Sequence, residues 1–107
     1  MPSLAQLLAT HGTLLVLDAA SARVQVGWLT PHESIWASST EEAGKALFLS
    51  IDALLKKAPA RSIADVGAFV FCEGPGSILG IRTAATAIRA WRTLHPQTPV
   101  YAYQSLA

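Results

Sequence analysis

The chain has 107 residues, enough for one domain with one real core. Hydrophobic residues make up 51% and charged residues 14%, and the formal net charge is +1. This excludes a disordered polyampholyte and a large electrostatic footprint for nucleic acid, and it leaves more apolar surface than a small monomer hides easily, so a protein interface is expected.

In chain order, Ser3 can cap a short helix over Leu4 to Thr10, ended by His11-Gly12. Thr13 to Asp18 (TLLVLD) is a continuous apolar run and reads as a central strand. After a turn of small residues from Ala19 to Ala22, Arg23 to Leu29 alternates, with Val24, Val26 and Trp28 on one face. That is a strand paired back on the first. Thr30-Pro31 turns the chain again, and His32 to Ser38 is a third strand anchored by Ile35.

Thr40, followed by Glu41 and Glu42, is read as the start of a helix, because acidic side chains suit its N-terminal dipole. The helix runs to about Lys57, with Pro59 stopping it. Its core stripe is Ala43, Leu47, Ile51, Leu54 and Leu55, while Ala46, Leu49 and Ala53 lie off the stripe. Val66 to Cys72 is the fourth strand. Ser77 caps a second long helix from Ile78 to Leu94, Pro96 and Pro99 bracket a turn, and Val100 to Tyr103 is the fifth strand. The order βββαβαβ predicts an α/β fold with a mixed five-stranded sheet in the order 3-2-1-4-5, with helices packed on it.

At 100° per residue the second long helix has two buried faces. Ile81, Ala84, Ala85, Ile88 and Trp91 suit the sheet. Gly80, Thr83, Ala87, Ala90 and Leu94 form a stripe of mostly small residues, which lets another helix approach closely. The partner is either the N-terminal helix of the same chain or another subunit, and Leu49 of the first long helix extends the same surface.

In EGPGSILGIR, Gly74 and Gly76 flank Pro75, and Ser77 opens the helix. A strand-to-helix turn of this kind either holds an anion on its N–H groups or is simply tight. No Lys-Ser/Thr pair follows the glycines, so it is not a nucleotide P-loop. Gly80 inside the helix costs about 1 kcal/mol relative to alanine, which calls for a packing reason. Asp18 at the hairpin tip, with Ser21 nearby, either holds a metal ion through water near a phosphate or bonds its own backbone.

Cys72, the one cysteine, allows no internal disulfide and no Cys-based zinc site, and it reads as a buried, inert thiol. His11, His32 and His95 lack HxxxH or HExxH spacing, so no metal centre is expected. Ser77 has no evident His/Asp partner, so a catalytic residue is not assigned. No apolar run reaches the roughly 18 to 20 residues of a membrane helix, and MPSLAQLLATHG has no basic n-region. A cytoplasmic location without a membrane partner is expected.

The segments LLVLDAASARVQVGWL, CEGPGSILGIRTAATAIRAWR and VYAYQSLA resemble the N-terminal half of the bacterial TsaB (YeaZ) family. Its members are glycoprotease-like, non-catalytic subunits in threonylcarbamoyladenosine biosynthesis on tRNA. The match covers nearly all of the chain after Gly12, and its core is GPGS-x-x-G-x-R. The resemblance implies an actin-like, ribonuclease H-like lobe of the ASKHA architecture, so that residues 1–107 are one lobe without the family's second. It also implies that the two long helices contact a catalytic TsaD-type subunit. The family's DTST is DAAS here, leaving Ser21 as the hydroxyl near a phosphate, and Ala43-Gly44 stands where a His-Ser pair often opens the first long helix.

The expected function is therefore a non-catalytic interaction subunit of tRNA threonylcarbamoylation. Its helices meet a TsaD-like partner or a second copy, and tRNA is contacted only through that partner. The alternatives are a half-lobe that binds ATP and magnesium only as a dimer, through Asp18, Ser21, Gly74, Gly76 and Ser77, and, weakest, a peptidase.

Overall fold

The computed structural model describes residues 3–21, 23–57, 62–76 and 78–104. Pro59, expected to stop the first long helix, and Ser77, expected to cap the second, lie outside them, as does the side chain of Ala43.

Strand β1 (Leu14–Asp18) is the centre of the sheet. It runs antiparallel to β2 (Val24–Leu29) on one side and parallel to β4 (Ala68–Gly74) on the other. Beyond these lie β3 (Ser34–Ser39), antiparallel to β2, and β5 (Val100–Gln104), parallel to β4. The sheet has the expected order 3-2-1-4-5. The continuous apolar run of β1 has its reason here, because the strand is covered on both faces. Leu15 and Leu17 face a large core with Val26, Trp28 and Phe69, while Leu14 and Val16 face a smaller one with Ala68 and Val70.

Helix α1 (Leu4–His11) closes the smaller core with Leu7. Ser3 caps it as expected, accepting from the Gln6 N–H while the Gln6 side chain accepts from the Ser3 N–H. Its last residue also meets the sheet, with His11 Nε2 lying 2.9 Å from the Tyr101 hydroxyl. Helices α2 (Ala43–Lys57) and α3 (Ile78–Leu94) close the large core from the other face, α2 over β2 and β3, α3 over β4 and β1. Among the described residues, no helix is long and apolar enough to cross a membrane.

Four local expectations are corrected. Helix α2 begins at Ala43, not at Thr40, because the Glu42 carbonyl accepts the first helical bond, from Ala46 N at 2.7 Å, while the Glu41 N–H turns back to Ser39 Oγ. The two acids precede the helix. Ala46, expected off the core stripe, is fully buried, since α2 lies across two strands and a wider arc of it is covered. The buried residue of β3 is Ala37, with Ile35 partly buried beside it. Strand β4 begins at Ala68 rather than Val66, after a short 3-10 turn, Ile63–Asp65, whose Asp65 carboxylate accepts from the Ser62 N–H at 2.9 Å. Gly67 lies flat against the His11 carbonyl, where a Cβ would come within 2.2 Å of the oxygen.

Ser50 of α2 is 2% exposed, and its hydroxyl has no hydrogen-bond partner among the described residues. A buried hydroxyl without a partner costs free energy, and alanine is the better helix former. Ser50→Ala is therefore expected to stabilise the fold by about 1 kcal/mol in urea unfolding. A loss of stability would mean that the hydroxyl is satisfied.

Candidate functional site

The upper end of the sheet brings together Asp18, Ser21 and the glycine-rich turn. Asp18 ends β1, and its Oδ1 accepts from the Ala20 N–H at 3.2 Å, which is the local turn bond that short acidic side chains form. Its Oδ2 accepts from the Tyr103 hydroxyl of β5 at 3.5 Å. Ser21 donates to the Arg23 carbonyl at 2.8 Å, within the same hairpin. The Tyr103 hydroxyl is held in its protonated form well above the ordinary tyrosine range, first by its half-burial and then by the neighbouring Asp18 charge and Cys72. Cys72 is buried, as expected.

The glycines of the turn are explained by close backbone approach. Gly74 has φ +122°, a conformation that side chains disfavour. A Cβ on Gly76 would lie 2.1 Å from the Ala20 carbonyl oxygen, and one on Gly80 would lie 1.7 Å from that of Ala19. The start of α3 is thus clamped on the tip of the β1–β2 hairpin. The described residues also contain no group of three His, Cys, Asp or Glu side chains able to hold a metal ion.

A second feature lies between α2 and α3. It is a groove of about 400 Å³, almost wholly apolar, lined by Phe48 of α2 and by Leu79, Arg82, Thr83, Thr86, Ala87, Ala90 and Trp91 of α3. Its floor is Ala87, which is buried, and Trp91, whose inner side stacks on Phe69 with ring centroids 5.5 Å apart. Its walls are Phe48 and Leu79, each 64% exposed. Thr83 donates its hydroxyl to the Leu79 carbonyl of its own helix, which satisfies that group without a partner from outside.

The structure gathers three of the six residues assigned to a helix interface, Thr83, Ala87 and Ala90, along this groove. Leu49 and Leu94 are exposed apolar residues outside its lining. Gly80 is corrected: it is buried against the Ala19 carbonyl, facing the hairpin instead of the outer surface. Phe48 and Leu79 were missed by sequence reasoning. The signal for Phe48 was its place next to Leu55 on the helix wheel, at the edge of the core stripe. For Leu79 the signal was weaker, an apolar residue in the first turn that no stripe claimed.

Solved structures similar to this chain include YeaZ from Pseudomonas aeruginosa, with a TM-score of 0.78 and 27% sequence identity, covering 90% of this chain and 44% of that one. A second is described as an uncharacterized protein with similarity to peptidase YeaZ from Pseudomonas aeruginosa, with a TM-score of 0.78 and 26% identity over the same shares. This chain spans less than half the length of either. No protein-family model matches it, and no curated protein matches it significantly. The lobe expected from the glycine-rich motif is thus matched in three dimensions, by a TsaB (YeaZ)-like N-terminal lobe.

Gly80→Ala gains about 1 kcal/mol of helix propensity but forces the Ala19 carbonyl to move. A net loss of about 1–3 kcal/mol is expected in chemical denaturation; an unchanged or raised stability would mean that the clamp is loose. The raised Tyr103 pKa gives a second test. Above the ordinary value of 10.0 the unfolded chain loses this proton while the folded chain keeps it, so stability falls as pH rises past that value. Tyr103→Phe should flatten this alkaline fall, as read by thermal unfolding across the range. An equally steep fall in the variant would assign it elsewhere.

Proposed function

We propose that this TsaB-like lobe is a non-catalytic interaction subunit related to threonylcarbamoyladenosine modification of tRNA, and that it docks through the α2–α3 groove. The observation that carries the reading is the groove itself, with two large apolar side chains, each 64% exposed, flanking a floor of small residues and one tryptophan. Contiguous exposed apolar surface of this kind marks a docking site more often than a free surface. Small residues in the floor suit an approaching helix, because they let two backbones come close. The occupant is a helix of a TsaD-like subunit or, in its absence, the same helices of a second copy.

The chemistry of the described residues supports a role without catalysis. The Cys72 thiol is buried beside the Gly74 carbonyl. His11 is engaged with Tyr101, while His32 lies in the β2–β3 turn and His95 follows α3, so the three imidazoles occupy separate places. With a net charge of +1, contact with tRNA falls to the partner. A cytoplasmic location accords with that role.

Light scattering after size exclusion, on the chain alone and mixed with a TsaD-like subunit, tests the reading. The mixture should show a heterodimer. Phe48→Glu should weaken the complex by more than about 2 kcal/mol, as expected of a central apolar anchor, and leave the melting temperature unchanged, because Phe48 is mostly exposed. Equal association of the variant would remove the groove from the interface.

A further inference from the structure

The free edge of β5 lies apart from the α2–α3 groove. Among the described residues β5 is the last strand in the sheet order and pairs with β4 alone. The Phe69 N–H donates to the Pro99 carbonyl at 3.0 Å, which sets the phase of the parallel ladder. Tyr101 and Tyr103 then turn their backbone groups toward β4, and Val100 and Ala102 turn theirs outward. The strand VYAYQ carries none of the usual guards of an edge, neither a lysine nor another charge nor an internal proline.

Helix α3 covers β4 and β1 and leaves a slot of about 190 Å³ beside β5, with Phe71 and Val100 below and Ile88 above. Arg89 and Arg92 also line it. Arg92 is fixed there by its Nε, which donates to the Thr98 carbonyl at 3.0 Å. From Ile78 to the last residue the sequence has three arginines and no acidic residue, and two of these arginines line the slot.

We propose that β5 accepts an extended acidic segment of another protein as a sixth strand. Alternate side chains of that segment face α3. An apolar one enters the slot over Phe71 and Val100, and the next on that face brings a carboxylate to Arg89 and Arg92. A second copy of this chain fits poorly, because a two-fold β5–β5 pairing would bring both sets of arginines together on one face.

The test is fluorescence anisotropy of the whole chain with a labelled short peptide that alternates threonine with glutamate and valine. Binding is expected, and a peptide with lysine in place of glutamate should not bind. Ala102→Pro removes an outward N–H without touching the β4 ladder, and it should abolish binding while circular dichroism stays the same. Arg89→Glu, at an exposed position, should weaken binding by at least about tenfold. Wild-type affinity in both variants, or equal affinity for the lysine peptide, would overturn the proposal. So would a homodimer of the chain alone that Ala102→Pro dissolves.

Discussion

Two glycine faces lying on two carbonyl oxygens decide where α3 sits. Gly76 rests on the Ala20 oxygen and Gly80 on that of Ala19, at distances that leave no room for a Cβ. With its first turn fixed to the β1–β2 hairpin, α3 crosses the sheet along β4 and β1, and Trp91 arrives over Phe69. That position also sets the gap to α2, and therefore the groove in which Ala87 and Trp91 are the floor and Phe48 a wall. The same contact accounts for glycine at both positions, since a carbonyl oxygen lies where each Cβ would stand.

Charge is distributed with similar economy. The whole chain is nearly neutral, yet α3 holds three arginines and neither α3 nor β5 holds an acid. Asp18, at the end of β1, is engaged by the Ala20 N–H and the Tyr103 hydroxyl of β5. The one ion pair among the described side chains, Lys56 with Asp52 at 2.8 Å, is a solvent-exposed pair one turn apart on α2, and such pairs contribute little to stability. Burial and backbone packing, more than ion pairing, hold the described fold, and Arg92 of α3 is tied to the Thr98 carbonyl.

The strand order was legible because β1 is apolar up to its final Asp18, β2 alternates, and two helical crossovers force parallel neighbours. The ends of elements were less legible. The acids at Glu41 and Glu42 looked like a first helical turn, but whether the chain enters the helix before or after them depends on how Ser39 meets the Glu41 N–H. That Gly80 needed a packing reason could be read from its cost in a helix. That the reason is Ala19, some 60 residues earlier in the chain, is a tertiary fact with no local trace. Ala46 shows the same limit, since a helical wheel gives the direction of a face but not its width, and α2 is wide-faced because it lies on two strands. The candidate interface was half legible: the small residues Thr83, Ala87 and Ala90 announced a groove, and the large residues that wall it gave a weaker signal.

The central claim is that the α2–α3 groove is the surface covered in the assembled protein. Hydroxyl-radical footprinting measures it directly, comparing the chain alone with the chain mixed with a TsaD-like subunit. Trp36 serves as the internal control. It is 43% exposed, and it faces the opposite side of the sheet from its neighbours Ile35 and Ala37, which pack against the large core. The account predicts that oxidation of Phe48 and Leu79 falls in the mixture while that of Trp36 does not. Unchanged oxidation of Phe48 and Leu79 in a mixture that forms a complex would contradict it.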